Sequence, residues 1–357
     1  MLVTRATSKR SRVGFTLVEV LLSMAVLSLI MAVMMQMVAS TEKVWKNTSS
    51  AETSFREARL AFSAITDRVA RASLNTYWAY DNPASPTTYV RKSELHFISG
   101  PASSIMSGAT LPNHASLPPG HAIFFQAPVG FSTSASAYST DLLNACGYFV
   151  EFGPDPAQPG FITTAQNRFR LMEMVQDTSY LQVYNESNPP VAMDELKWIQ
   201  NGVAQGSPGT HELAKNVVLL IVWPKNSPAA DASGNTTPLT TTYKYDTRAA
   251  ALGLNGVADT GDTDPLGTGI SNSPQQDQTS NQLPPLIEVT MIALDEPSAI
   301  RLQTQYGSTA PSLVSAGLFA NAANYRADLA SVQATLLQQH LTYHVFDQTV
   351  TVRQAQW

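Results

Sequence analysis

Gly14-Phe15-Thr16-Leu17-Val18-Glu19 opens the stretch that decides the fold. A basic leader with Arg5, Lys9, Arg10 and Arg12 precedes it, and a charge-free run from Val20 to Thr41 follows it. From Phe15 to Ala39, about 25 residues carry one ionisable group, Glu19, and at 1.5 Å per residue they are long enough to cross a hydrocarbon core of about 30 Å. Cations lie before the run and Glu42 with Lys43 after it, so the positive-inside rule puts residues 1–14 in the cytoplasm and everything beyond about residue 41 outside. A secretory signal peptide has an apolar core of only about 7–15 residues and no acid within it. The segment therefore reads as a retained anchor, although Val38-Ala39-Ser40 would suit a signal-peptidase cut and keeps that alternative open.

The six residues and their basic leader resemble the processing signal of the type IV pilin and pseudopilin superfamily. The resemblance implies that a prepilin peptidase and N-methyltransferase cuts between Gly14 and Phe15, methylates Phe15 and removes residues 1–14 as a leader peptide. Glu19 needs an explanation of its own, because a carboxylate deep in lipid costs roughly 2.5–3.5 kcal/mol and less near the interface where this one falls. The positive end of the helix dipole lies within a turn of it. The resemblance implies a second partner, the freed amine of Phe15 on the same or a neighbouring subunit, which would make Glu19 an assembly residue. The plainer alternative is a tolerated interfacial charge.

Beyond the membrane, residues 41–74 continue the helix, since the first proline is Pro83 and no glycine lies between Gly14 and Gly100. Val44, Thr48, Ala51, Phe55, Ala58, Phe62, Ile65, Val69 and Ala72 recur at spacings of four and three, the stripe of a helix with one buried face. Glu52 with Arg56 and Asp67 with Arg71 are acid-first i,i+4 pairs on its wet face. The alanines suit close approach to a sheet better than the knobs of a coiled coil between subunits. Val44, Phe55, Phe62, Ile65 and Val69 are the expected packing residues. Many pilins carry a proline midway along the apolar segment, and this chain does not.

Residues 75–357 read as one large β-rich domain of the α+β class, with the long N-terminal transmembrane and amphipathic helix packed on mostly antiparallel sheet and a short helix near the C-terminus. Strands are expected at Glu94–Ser99, Ala122–Ala127, Cys146–Phe152, Arg168–Val175, Val217–Trp223, Thr241–Tyr245, Leu286–Leu294 and Tyr343–Val352, and a helix at Asn321–Gln339. Arg168, Arg170 and Glu173 alternate with apolar neighbours, which predicts a half-buried strand. The unbroken apolar Val217–Trp223 predicts a central one. Ser99–Gly120 and Leu252–Gln282, rich in Ser, Pro, Gly and Asp, are expected as mobile surface loops. Cys146 is the sole cysteine, so no intrachain disulfide can form, and its apolar context predicts a packed thiol. The net charge of −5, more negative once the leader cations are gone, argues against nucleic acid as a partner.

Chemistry-bearing motifs are weak. There is no Gly-rich phosphate loop, no G-x-S-x-G elbow and no zinc-ligand cluster, so no cofactor and no enzymatic role are expected. His340 and His344 would share a helical face only if the last helix ran on through Thr342. Asp259, Asp262 and Asp264 form a weak Ca²⁺ candidate whose spacing fits no EF-hand. Segments from Gly147–Gly153, Arg168–Glu173, Leu213–Val218 and Tyr243–Asp246 to Leu283–Ala299 and the ending Tyr343–Trp357 together resemble the Verru_Chthon cassette protein C family, similar in outline to J-type minor pseudopilins. These resemblances imply a structural subunit anchored in the inner membrane with its domain in the periplasm, assembling with other pilin-like subunits. The competing readings are an anchored binding or adhesion protein that never polymerises and a membrane-tethered hydrolase.

Overall fold

The computed structural model describes residues 16–80, 84–87, 89–111, 115–134, 139–155, 158, 165–184, 196–204, 207–226, 243–248 and 281–355. They divide into two compact units, Met1–Ser50 and Ala51–Trp357. One helix, α1 (Leu17–Val69), belongs to both. Nothing in its 53 residues is Pro or Gly, so no backbone hydrogen bond is lost within it.

In the first unit α1 is apolar on every side. Leu17, Leu21, Leu22, Met24, Leu27, Met31, Met35 and Val38 are all exposed, as no soluble helix of this length would leave them. In the second unit its character changes to a single buried face. Ala58, Phe62, Ile65 and Val69 are buried and Phe55 is half-buried, while the helix, expected to run to residue 74, ends at Val69, so that Ala72 is buried beyond it. Val44, expected on the packing face, is 64% exposed, because it lies in the first unit, ahead of the turns that carry this face.

The second unit is built on antiparallel sheet. Six strands pair in the order β7 (Thr210–Lys215), β6 (Asn167–Gln176), β5 (Leu143–Pro154), β4 (His121–Pro128), β3 (Ile98–Pro101) and β9 (Tyr245–Asp246). A second sheet has the order β11 (Tyr343–Thr351), β10 (Leu286–Leu294), β8 (Val217–Lys225), and β1 (Tyr77–Tyr80) pairs with β2 (Tyr89–Lys92) by itself. The helices after α1 are α2 (Ala102–Ile105), α3 (Lys197–Val203), α4 (Glu296–Tyr306) and α5 (Tyr325–Gln338). This is the α+β arrangement of a long N-terminal helix on antiparallel sheets with a helix near the C-terminus.

The six-stranded sheet is covered on both faces. Ile123, Phe125, Cys146, Tyr148, Val150 and Leu171 share a core with the buried face of α1 and with β8, β10 and β11, where Phe62 meets Phe346 at 5.7 Å between ring centroids. The alternate residues Phe124, Phe149, Met172 and Met174 form a second core with Ile105 of α2 and Trp198 and Ile199 of α3. Phe124 lies across Gly147, its cross-strand partner, where a Cβ would come within 2.2 Å of the ring.

Other expectations change here as well, the strand expected at Glu94–Ser99 among them, since it begins only at Ile98. The strand holding Arg168, Arg170 and Glu173 is buried along nearly its whole length rather than on one face, because α2 and α3 close off the side that alternation assigned to water. Val217–Trp223 is an edge strand of its sheet by hydrogen bonding, yet it is buried because it packs between the two sheets. Within Ser99–Gly120, the expected loop, the described residues include the end of β3, all of α2 and the buried Ala102, Ile105, Met106 and Leu111. Of the other expected loop, residues 252–280 lie outside the described residues, and Asn281 and Gln282 are buried.

His121, at the start of β4, closes the open edge of β8. Its Nδ1 lies 3.2 Å from the Val222 amide and 3.1 Å from the Val222 carbonyl, and its Nε2 lies 3.4 Å from the Phe319 carbonyl. Burial pushes its pKa down from 6.5 to about 4. The unfolded chain takes up this proton first, so the contribution is intact above about pH 6.5 and is lost as pH falls toward 4, by about 3 kcal/mol in all. Urea unfolding of the detergent-solubilised chain should therefore show a midpoint that drops between pH 6.5 and 4. In His121→Gln the midpoint should be lower at pH 7 and the slope across that interval shallower.

Candidate functional site

Thr16 starts the helix that the function turns on. Its hydroxyl accepts from the Glu19 amide at 3.3 Å and its carbonyl accepts from the amides of Glu19 and Val20 at 3.0 and 3.2 Å, which satisfies donors left open at a helix N-terminus. Glu19 is the acid of the first turn, on the favourable end of the dipole, and it is exposed. The polar side chains farther along are turned inward. Ser23, Ser28, Ser40 and Thr41 each donate to a backbone carbonyl three or four residues back, at 2.8–2.9 Å, so their hydroxyls need no water. The helix is long and apolar enough to cross a membrane, and the most apolar part of it is not buried at all. Gly14 and Phe15 lie outside the described residues, as do Asp259, Asp262 and Asp264.

At the other end of α1 a set of charges ties the helix to the six-stranded sheet. Tyr148 and Glu173 are register partners on β5 and β6, side by side on the face that meets α1. Arg68 donates to the Tyr148 hydroxyl at 3.0 Å and forms an ion pair with Glu173 Oε1. The other carboxylate oxygen takes His211 Nε2 of β7 at 3.0 Å, so one acid joins the helix to the edge strand. Burial acts to raise the Glu173 pKa, but hydrogen bonds from His211 and Tyr148 and the charge of Arg68 outweigh it and hold the carboxyl below its ordinary value. The same bond to Glu173 raises His211.

On the opposite face Glu151 and Arg170, also register partners, pair at 2.6 Å with both side chains buried. Burial pushes Glu151 upward against the pull of Arg170. The chain of charges continues to Lys215 with Asp155 at 2.9 Å and Arg168 with Glu296 at 2.5 Å.

Two groupings bring residue types common in catalysis into buried settings. His96 Nε2 meets Asp246 at 2.7 Å while its Nδ1 accepts from the Trp198 indole at 3.2 Å, so both ring nitrogens are engaged in a fully buried setting. Cys146 is buried in the core, and its thiol is pushed up to about 12 by burial, which suppresses the reactive thiolate. His340 falls in the turn after α5, whereas His344 stands on β11 against Phe55 and Phe346. Among the described residues, no group of three or more His, Cys, Asp or Glu could hold a metal ion. The Arg68–Glu173–His211 cluster was not anticipated from sequence, although the alternation of Glu173 and Arg170 with apolar neighbours had marked the strand that supplies it.

Residues 10–35 match the prokaryotic N-terminal methylation motif. The match includes Gly14, Phe15, Glu19 and most of the apolar segment, and it implies processing by a prepilin peptidase. With the apolar helix, it points to membrane anchoring with an extracytoplasmic domain. No curated protein and no solved structure matches the chain, and none of these comparisons supports the fuller resemblance to the Verru_Chthon cassette protein C family.

Glu173→Gln leaves Arg68 with a neutral partner and should cost about 1–3 kcal/mol, less than the roughly 3–5 kcal/mol of a fully buried pair because Arg68 is 26% exposed. The sign of the pH effect differs between partners. Glu173, held below its ordinary value of 4.5, stabilises above that pH and loses its effect as pH falls through its lowered pKa. His211, raised above 6.5, stabilises below that pH and loses its effect as pH rises through its raised pKa. Thermal melts should show a decline above neutral pH that His211→Gln flattens.

Proposed function

We propose that this protein is a minor pilin-like subunit, cut after Gly14, methylated on Phe15 and assembled through its N-terminal helix into a type II secretion or type IV pilus-like envelope structure. The observation that carries the reading is the methylation motif at residues 10–35, lying at the head of a helix that runs unbroken into the sheet domain. Before assembly, the helix anchors the chain in the inner membrane with the domain in the periplasm. During assembly, Glu19 pairs with the Phe15 amine of a neighbouring subunit, and other pilin-like subunits cover the apolar surface from Leu17 to Val38. The role is mechanical: the Arg68 cluster would carry load from helix to sheet when the helix is drawn out of the bilayer. Kinship with the Verru_Chthon cassette protein C family and a place like that of J-type minor pseudopilins rest on the segment resemblances alone.

N-terminal sequencing of the protein from membranes should give a start at Phe15, and Gly14→Val should accumulate uncut chain. A mature start near Ser40 would mean ordinary signal-peptide cleavage and end the proposal. Glu19→Val makes the segment more compatible with lipid, so the variant should insert and be processed yet fail to co-purify with pilin-like partners. Co-purification at the wild-type level would favour the permanently anchored binding protein.

A further inference from the structure

The helix just past the membrane segment carries a group of side chains that the assembly reading leaves unused. Trp45 is 75% exposed, and Lys43 and Lys46 beside it are exposed as well. Met34, Val38, Thr41 and Trp45 follow one another at spacings of four, three and four, so the indole continues a row of the apolar surface rather than standing apart from it. Its depth follows from the helix itself. With Glu19 at the inner border, Val20–Ala39 spans about 30 Å at 1.5 Å per residue, the thickness of the hydrocarbon core. The Cα of Trp45 then stands about 9 Å beyond the outer border. Helical side chains lean over the preceding turn, which brings the indole back over Thr41 and Glu42, within about 5 Å of that border and inside the headgroup layer. Tryptophan favours this layer because its ring is apolar and its N–H needs a polar partner, and lysines reach phosphate there.

We infer that Trp45, with Lys43 and Lys46, docks on phospholipid headgroups of the outer leaflet and sets the depth of the helix, holding Glu19 at the inner border. This rests on the anchoring reading and adds a second, opposing anchor to it. The occupant is the bilayer because the surface is continuous with the membrane-spanning segment and its two lysines outnumber its one acid, Glu42, leaving net charge complementary to phosphate. Until a subunit is drawn into an assembly, these contacts oppose its extraction.

The full chain reconstituted in phosphatidylcholine and phosphatidylglycerol vesicles tests this with lipids brominated at shallow or deep acyl positions. Flotation reports anchoring, and tryptophan fluorescence reports depth. The expected result is that shallow bromines quench a component of the emission more than deep ones, that Trp45→Phe removes this component, and that Lys43→Gln with Lys46→Gln weakens it at least twofold. If the protein floats but Trp45→Phe leaves quenching unchanged, the docking is overturned while anchoring stands. Failure to float overturns both. The alternative that Trp45 sits in a protein contact predicts floated protein with a Trp45 component that bromolipid does not reach, which also overturns the inference.

Discussion

A single helix that changes solvent along its length constrains everything else in this molecule. For its first turns α1 must be apolar on all sides, because lipid surrounds it and offers no partner for a polar group. For its last turns it must be apolar on one side only, because a sheet covers that side and water the other. The transition is made without a break in the backbone. From Leu17 to Val69 no proline or glycine interrupts the ladder, and hydroxyls within the apolar stretch fold back onto their own helix.

The sheet domain receives that face with charge as well as with apolar contact. Glu173 would be a poor core residue alone, since burial works against its ionised form. It becomes a useful one because Arg68, Tyr148 and His211 reach it from three elements and leave neither oxygen alone. The ion pair adds a directional contact to the apolar packing of the helix on the sheet. Glu151 and Arg170 do the same between neighbouring strands on the far face.

Much of this was legible in the sequence, and the misses have identifiable causes. The anchor is written in the uninterrupted apolar run, and strands such as Leu286–Leu294 in β-branched and apolar residues. Alternation failed on Arg168–Glu173 because it assumes that charged residues face water, whereas here Arg170 and Glu173 find partners across the ladder and Arg168 pairs with Glu296 of a helix. Short strands such as Thr210–Lys215 have no apolar pattern to read, since an edge strand is held by backbone pairing and a few ions. The helix Glu296–Tyr306 did carry readable signals: Asp295 caps it by accepting from the Ser298 amide at 2.9 Å, Pro297 lies in its first turn, and Gly307 with a φ of 61° ends it. Its polar composition concealed them. The chemistry at Glu173 was out of reach because Arg68 and His211 are brought to it from more than 30 residues away in either direction.

The junction where α1 ends has one more property. The Arg353 amide donates to the Ala70 carbonyl, and the Ser73 hydroxyl donates to Gln354 at 2.7 Å across a separation of 281 residues. Phe62 likewise waits for Phe346. At a synthesis rate of about 5–20 residues per second, roughly 15–55 s pass between emergence of this part of the helix and emergence of its last partners. The membrane segment is made before the strand that completes the packing of its continuation, which follows more than 270 residues later. During that interval the amphipathic face is an unfinished surface on the far side of the membrane, open to whatever apolar neighbour it meets. Biogenesis of this fold is thus a matter of order in time, with the anchor committed long before the domain it carries can close.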